Sequence, residues 1–180
     1  MISYKARRIA ALAAAATAGA IFSCSCFSAA KAAKAPAEPA VVRLPLENSD
    51  FPISAAVTVH KDADTYFLSG ALPPMINKDA PKGSSEAYGN METQTTGALT
   101  LIKGTLARLG LNMGDVIKMT VFMAPDKDNK MDFAGLMAGY TKFFGTPEQP
   151  NKPARSAVMV AALVAPGALV EIEVIAAKAR

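Results

Sequence analysis

Apolar runs along the chain predict short β-strands toward both ends and in the middle. Residues 55–59 and 65–69 are rich in apolar and β-branched side chains and flank the polar residues 61–64, a pattern typical of a β-hairpin. Residues 41–44 predict an earlier edge strand that Pro45 is expected to end. Three later apolar runs predict further strands, which cover residues 116–123, 157–163 and 170–177.

Two intervening segments carry apolar side chains at helical spacing. Residues 91–109 predict a first helix, and Gly110 is expected to close it as a left-handed cap with Leu111 as the apolar contact. Asp132 is the predicted N-cap of a second helix that is expected to end at Gly145. The apolar stripe of this second helix, expected to lie in the core, consists of Phe133, Leu136, Met137, Tyr140, Phe143 and Phe144.

The order of these elements predicts an α+β fold, in which two helices pack on one face of a mixed sheet. Side chains alternate between the two faces of a strand, so Val170, Ile172 and Val174 are expected to face the helices. Glu171 and Glu173 are then expected on the opposite face. The sequence therefore predicts a sheet with one acidic face that the helices leave uncovered.

The first 30 residues differ in character from the rest of the chain. Lys5, Arg7 and Arg8 form a basic start, and residues 9–22 are almost entirely apolar and alanine-rich. Small residues follow, and the whole pattern is typical of a secretory signal peptide over residues 1–30. A membrane span is the alternative, but the apolar run is shorter than the roughly 20 residues that a span requires. We therefore expect a secreted or periplasmic protein whose mature chain has no membrane span.

Residues 31–40, rich in alanine, lysine and proline, predict a flexible linker, and residues 41–180 have the length of one domain. Both cysteines, Cys24 and Cys26, lie in the predicted signal peptide. Processing at Cys24 as a lipoprotein remains a second possibility, which would anchor the chain to a membrane by a lipid. If cleavage instead falls near residue 30, the mature chain has no cysteine for catalysis, disulfides or metal binding.

The net charge and the histidine content argue against several classes of function. Removal of residues 1–30, which carry three basic and no acidic side chains, lowers the formal charge from +4 to +1. Because no basic stripe with aromatic residues remains, a nucleic acid partner is not expected. His60 is the single histidine and lies among polar residues, so it is expected in an exposed turn. Neither a metal site nor a histidine-dependent triad is expected.

Arg155 lies after a proline-rich loop, at the start of an apolar run. Arginine keeps its charge in proteins, and its planar fork of N–H groups matches a carboxylate. An anion held against rigid backbone is the functional interpretation, and a surface arginine at a strand start is the alternative. A neighbouring strand is expected to hold Glu171 near Arg155.

Seven short segments, in order along the chain, resemble motifs of the RidA/YjgF family of reactive-intermediate deaminases. The segments are residues 67–70 (FLSG), 92–95 (ETQT), 115–122 (DVIKMTVF), 131–134 (MDFA), 140–145 (YTKFFG), 153–156 (PARS) and 170–173 (VEIE). The resemblance covers the chain from about Phe51 to Ala177. It implies a chorismate-mutase-like fold and a homotrimer with a central β-barrel and three sites at the subunit clefts.

The resemblance also implies a reaction, the hydrolysis of enamines and imines such as 2-aminoacrylate to 2-oxo acids and ammonia, without a cofactor or a metal. By this resemblance, Arg155 binds the carboxylate of a 2-imino or 2-oxo acid, and Glu171 positions the attacking water. The backbone at Ala157 and Gly70 corresponds to the wall of the pocket near the imine.

The chain departs from the family pattern at three polar positions of the pocket. The family segment Gly-Pro-Tyr-Ser-Gln-Ala falls on residues 51–56, so Ser54 is kept while the family tyrosine is Ile53 and the glutamine is Ala55. The family asparagine of the second helix falls on Met137. These changes make the expected pocket more apolar and favour a larger or more apolar substrate.

Two other functions remain open at the level of sequence. One is a non-catalytic module that binds a small carboxylate such as a 2-oxo acid through Arg155 without turnover. The other is an endoribonuclease, which is less favoured because the expected mature charge is near zero and no catalytic histidine is evident.

Overall fold

In the computed structural model, which describes residues 38–81 and 83–180, six strands form one mixed sheet accompanied by two α-helices. The α+β class predicted from the pattern is confirmed. The elements are β1 (Val41–Pro45), β2 (Ser54–Val59), β3 (Ala63–Ala71), α1 (Met91–Arg108), β4 (Val116–Met123), α2 (Phe133–Tyr140), β5 (Ala154–Met159) and β6 (Val170–Ala179). The predicted signal peptide, the lipidation site at Cys24 and most of the predicted linker lie outside the described residues.

The strands lie in the order β1-β2-β5-β4-β6-β3, in which β5 runs parallel to β2 and β4 and the other pairs are antiparallel. The predicted hairpin between β2 and β3 is wrong. β2 pairs with β1 and β5, whereas β3 forms the opposite edge of the sheet beside β6. The alternation of side chains predicts a strand but does not specify which strand it pairs with. The nine-residue β3 pairs with the ten-residue β6, which is of similar length.

The predicted ends of α1 are confirmed by its caps. At the N-terminus, the side chain of Asn90 accepts a hydrogen bond from the backbone N–H of Thr93 at 2.9 Å. At the C-terminus, Gly110 adopts a φ of 73°, and the N–H of Leu111 donates to the carbonyl of Leu106 at 2.9 Å. This arrangement satisfies carbonyls that the helix would otherwise leave unpaired.

The second helix is shorter than the sequence predicts. Its N-cap is Asp132, as expected, but α2 ends at Tyr140 instead of Gly145. Thr141 still makes the helical bond from its N–H to the carbonyl of Met137 at 3.0 Å, but the N–H of Phe143 donates to the carbonyl of Tyr140, only three residues back, at 3.0 Å. The chain then continues in tight turns, and the buried ring of Phe144 still stacks on Tyr140, with 4.9 Å between the ring centroids.

The last strand separates its side chains as predicted. Val170, Ile172 and Val174 are buried in the hydrophobic core between the sheet and the helices. Glu173 is exposed and Glu171 is half-buried. On the same strand, Ile175 pairs with Phe67 of β3, whose ring is 79% exposed. The face opposite the core therefore carries both acidic and apolar side chains that are open to solvent.

Within residues 38–81 and 83–180, no helix has the length and apolar character needed to cross a membrane.

Candidate functional site

Arg155 is presented on the face of the sheet that carries the core. It lies within β5, one residue after the strand begins, and pairs with the fully buried Met119 of β4. Its guanidinium enters a group of three rings. The Cζ atom lies 4.3 Å from the ring centroid of Tyr140, 5.4 Å from that of Phe51 and 5.9 Å from that of Phe133. We name these three rings the aromatic cage, and each lies within the usual range of a cation–π contact.

The cage is braced by contacts among its own members. Phe51 and Phe133 stack with 6.4 Å between their centroids and an interplanar angle of 12°. The hydroxyl of Tyr140 donates a hydrogen bond of 2.7 Å to the carbonyl of Pro52, which fixes the segment that carries Phe51. Burial raises the pKa of Tyr140, although the charge of Arg155 acts in the opposite direction. The phenol is therefore neutral and serves as a donor.

The N–H groups of Arg155 have an unusual acceptor. Nη1 and Nη2 donate to the Sδ atom of Met137 at 3.4 and 3.3 Å, and a thioether is a weak acceptor. Among the residues that the structure describes, no carboxylate lies within ion-pair distance of this guanidinium. Burial lowers the pKa of Arg155 while the neighbouring Tyr140 opposes that shift. The result is a half-buried cation without an anionic partner in the described part of the chain, which is the arrangement of an anion-binding site.

Glu171 lies on the other face of the sheet. It pairs with Phe122 of β4, and Phe122 pairs with Val158 of β5. Val158 is three residues from Arg155, an odd number, so the two side chains point to opposite faces. The expected proximity of Glu171 and Arg155 is therefore wrong within one chain.

Gly70 lies directly beside Glu171. β3 contains an irregularity between Leu68 and Ala71, and this brings the backbone of Gly70 so close to the Glu171 carboxylate that a Cβ atom would overlap Oε1. Gly70 and Glu171, both predicted as site residues, thus form one cluster. It is separate from the Arg155 cluster in the single chain.

The remaining predicted site residues accompany Arg155. Ala157 is on the same face of β5, two residues further along. Ser54 is buried, and its hydroxyl donates a hydrogen bond of 2.6 Å to the carbonyl of Lys152. This bond links β2 to the loop before Arg155. Ile53 is half-buried and connects Ser54 to the segment that carries the cage phenylalanine.

The aromatic cage was not recognised as a site from the sequence. The sequence pattern predicts Phe133, Met137 and Tyr140 in the core, but of these three only Tyr140 is fully buried, and Phe133 is 36% exposed. Their spacing of seven residues places both on one side of α2 and was the available signal. No local pattern connects Phe51, which lies more than 80 residues earlier, to that helix.

No cluster of three or more histidine, cysteine, aspartate or glutamate side chains suited to a metal ion occurs in residues 38–81 and 83–180. An open cavity of about 470 Å³ lies between residues 83–86, 124–127 and 161–169. Neither Arg155 nor Glu171 lines it, and the charged side chains that do are Glu86, Asp126 and Lys127, so it has no anion-binding arrangement comparable to the cage.

Comparison with known proteins relates this chain to one family. A family model described as Endoribonuclease L-PSP matches residues 48–178. The RutC family protein PH0854 of Pyrococcus horikoshii is 36% identical over 132 residues, which cover 73% of this chain and 94% of the relative. A 2-iminobutanoate/2-iminopropanoate deaminase of Escherichia coli is 37% identical over 110 residues, or 61% of this chain and 77% of the relative.

Solved structures share the fold. The Rid family protein YyfB from Yersinia pestis superposes with a TM-score of 0.58 at 22% identity, covering 77% of this chain and 98% of that structure. The structure of Escherichia coli TdcF with bound serine has a TM-score of 0.50 at 32% identity, covering 64% of this chain and 81% of that one. The two-helix mixed sheet is therefore common to these proteins.

Proposed function

Since the chain belongs to the Endoribonuclease L-PSP family, we propose that it is an enamine/imine deaminase that hydrolyses small, reactive 2-imino acids to 2-oxo acids and ammonia. Relatives of this chain are named as deaminases of such intermediates. The observation that carries the proposal is the guanidinium of Arg155, held in an aromatic cage with only a thioether as acceptor.

Arg155 is the residue that binds the substrate carboxylate. Its planar fork donates hydrogen bonds to two carboxylate oxygens at once, and such charge-assisted pairs are among the stronger hydrogen bonds in proteins. The cage restrains the guanidinium before the ligand arrives, which reduces the entropy lost on binding. A serine-bound relative, TdcF, is consistent with recognition of a small amino-acid-like ligand.

Glu171 is the residue that positions water. An imine carbon is already electrophilic, so hydrolysis requires a water aligned with it and a group that accepts the water's proton. Water adds to the C=N carbon, the nitrogen takes up protons, and the C–N bond of the resulting carbinolamine breaks to release ammonia and the 2-oxo acid. This hydrolysis uses only water and protons and transfers neither electrons nor a group to a carrier, so it needs no cofactor.

A site that uses both residues requires a second copy of the chain. Arg155 and Glu171 occupy opposite faces of one sheet, whereas a neighbouring sheet can present its own glutamate face to the arginine. We therefore propose a homotrimer in which Arg155 of one subunit works with Glu171 and Gly70 of the partner subunit. The exposed Phe67 on the glutamate face supports such an interface, because a partner subunit would cover an apolar side chain that is otherwise in water.

The protein is proposed to act outside the cytoplasm. The basic and apolar pattern of residues 1–30 supports a signal peptide, and residues 41–180 would form the exported domain. Lipid attachment at Cys24 is the alternative for the same segment. Intact-mass measurement of the exported protein distinguishes them, since the lipid form begins at a diacylglyceryl-modified Cys24.

The activity is tested with imines that are generated in situ, in the assay mixture. An amino acid oxidase converts amino acids to 2-imino acids, and catalase removes the peroxide formed with them. The release of ammonia is then followed with and without the mature protein. Acceleration that disappears in Arg155→Ala supports the proposal. Binding of 2-oxo acids without acceleration would replace it with the carboxylate-binding module, and cleavage of RNA that survives Arg155→Ala would replace it with an endoribonuclease.

A further inference from the structure

The sulfur of Met137 occupies the position at which a carboxylate would meet Arg155 end-on. Sδ lies 3.4 Å from Nη1 and 3.3 Å from Nη2. Because these distances are nearly equal and both contacts are directed N–H bonds, the sulfur lies between the two terminal nitrogens of the fork. A carboxylate that binds both nitrogens must take this place.

The guanidinium of Arg155 is held in place, whereas the thioether of Met137 can move. The guanidinium is held over the ring of Tyr140 at 4.3 Å, one turn along α2 from Met137. The backbone of Met137 is fixed within α2, and its carbonyl accepts hydrogen bonds from both the N–H and the hydroxyl of Thr141. The thioether itself can still move, because methionine has three rotatable side-chain bonds and adapts to irregular surroundings. The thioether is therefore the group of this pair that a ligand can displace.

We propose, on the basis of the carboxylate-binding role given to Arg155 above, that Met137 determines substrate specificity. An incoming carboxylate displaces the thioether from the fork, and the displaced side chain then packs on the ligand's substituent. An apolar substituent of four or more carbons gives the thioether a surface to cover, whereas a methyl group does not. The site thus selects 2-imino and 2-oxo acids with larger apolar side chains over those of pyruvate size.

The surroundings of Met137 suit such a substituent. The rings of Phe51 and Phe133 are 37% and 36% exposed, so both offer apolar surface beside the arginine. Covering this surface is favourable in proportion to the apolar area removed from water. The chemistry that the site recognises is therefore a carboxylate joined to an aliphatic or aromatic side chain.

Calorimetry on the mature protein tests the selection with pyruvate and 4-methyl-2-oxopentanoate. The parent is expected to bind the larger acid about tenfold more tightly. Met137→Ala frees the fork and removes the apolar cover, so its affinity for pyruvate rises about tenfold and the preference shrinks. Met137→Leu cannot accept a hydrogen bond but keeps an apolar side chain, so both acids gain affinity and the preference remains. Met75→Ala is the control, because Met75 is a half-exposed methionine that lines a different cavity. This change is expected to alter neither the affinity for pyruvate nor the preference for the larger acid.

A second measurement observes the displacement itself. Protein labelled at its methionine methyl groups gives one resonance per methionine, and the Met137 resonance is the one that Met137→Leu lacks. Saturating pyruvate is expected to shift this resonance and to leave that of Met75 in place. If the Met137 resonance does not move while Arg155→Ala abolishes binding, this inference is wrong and the proposed function stands. If Arg155→Ala binds both acids like the parent, the proposed function itself is wrong.

Discussion

The ring of Tyr140 lies beneath the guanidinium of Arg155, and its hydroxyl donates to the carbonyl of Pro52 at 2.7 Å. One side chain of α2 therefore supports the cation of β5 and also holds the segment that brings Phe51 to the cage. Hydrogen bonding and burial fix the tyrosine, and the tyrosine in turn fixes the arginine. This relationship places a charge in a defined position before any ligand binds.

Replacing Arg155 with alanine is expected to abolish carboxylate binding and turnover together. The loss of a bidentate charged contact costs about 1.5–3 kcal/mol or more. Arg155→Lys restores only part of the affinity, because a point charge lacks the fork. Calorimetry with 2-oxobutyrate and the oxidase-coupled assay measure both effects. Arg180→Ala, at an exposed arginine paired with Asp64, is the control and should change neither. Unchanged binding in Arg155→Ala would contradict the carboxylate role.

Replacing Tyr140 with phenylalanine separates its two contacts. Tyr140→Phe keeps the ring beneath Arg155 but leaves the carbonyl of Pro52 without its donor, and the expected cost in unfolding free energy is about 1 kcal/mol. Tyr140→Leu also removes the ring and should weaken 2-oxobutyrate binding further. Urea unfolding and calorimetry measure these effects, with Tyr66→Phe on β3 as the control. Equal affinities in the phenylalanine and leucine variants would show that the ring does not support the cation.

Replacing Glu171 with glutamine is expected to lower kcat by roughly 100-fold while 2-oxo acid binding is largely kept, because its proposed role is confined to the water. Glu173→Gln is a matched control, since Glu173 lies on the same face two residues further along and is exposed. Steady-state kinetics with in situ imine measure the difference. Similar losses of kcat in both variants would indicate a general effect of charge on this face.

Adding a single methyl group at Gly70 should disturb the Glu171 carboxylate. No room exists for a Cβ atom there, so Gly70→Ala is expected to move the glutamate and reduce kcat by about tenfold or more. Gly104→Ala is the control, because the helix α1 has open space at that position. That change should raise stability by about 1 kcal/mol without altering kcat. Full activity of Gly70→Ala would show that the carboxylate position is not critical.

Mixed subunits test whether each site is shared between two chains. Arg155→Ala and Glu171→Gln, each expected to have little activity alone, are unfolded together and refolded as mixed trimers. A site that takes its arginine from one subunit and its glutamate from the next is intact in about a quarter of cases in an equal, random mixture. The mixture should therefore recover about a quarter of the parental activity. Light scattering should give the mass of a trimer, and a monomer or a mixture without activity would contradict the shared site.

The sequence by itself determined the features that depend on neighbours along the chain. The left-handed cap at Gly110 and the N-cap at Asp132 are set by local backbone conformation and hydrogen bonding. The two faces of β6 follow from simple alternation, which places Ile172 in the core and Glu171 outside it. These local patterns, together with the connection order, were sufficient for the α+β class.

Only the tertiary structure decided which strands are partners and which site residues meet. The register of β4 against β5 and β6 places Arg155 and Glu171 on opposite faces, and no local pattern specifies that register. The aromatic cage joins Phe51 to Phe133 and Tyr140 across more than 80 residues, so it forms only when the chain folds. Strand pairing and side-chain packing between distant segments are chosen by the total area buried and the hydrogen bonds satisfied, which are properties of the whole fold.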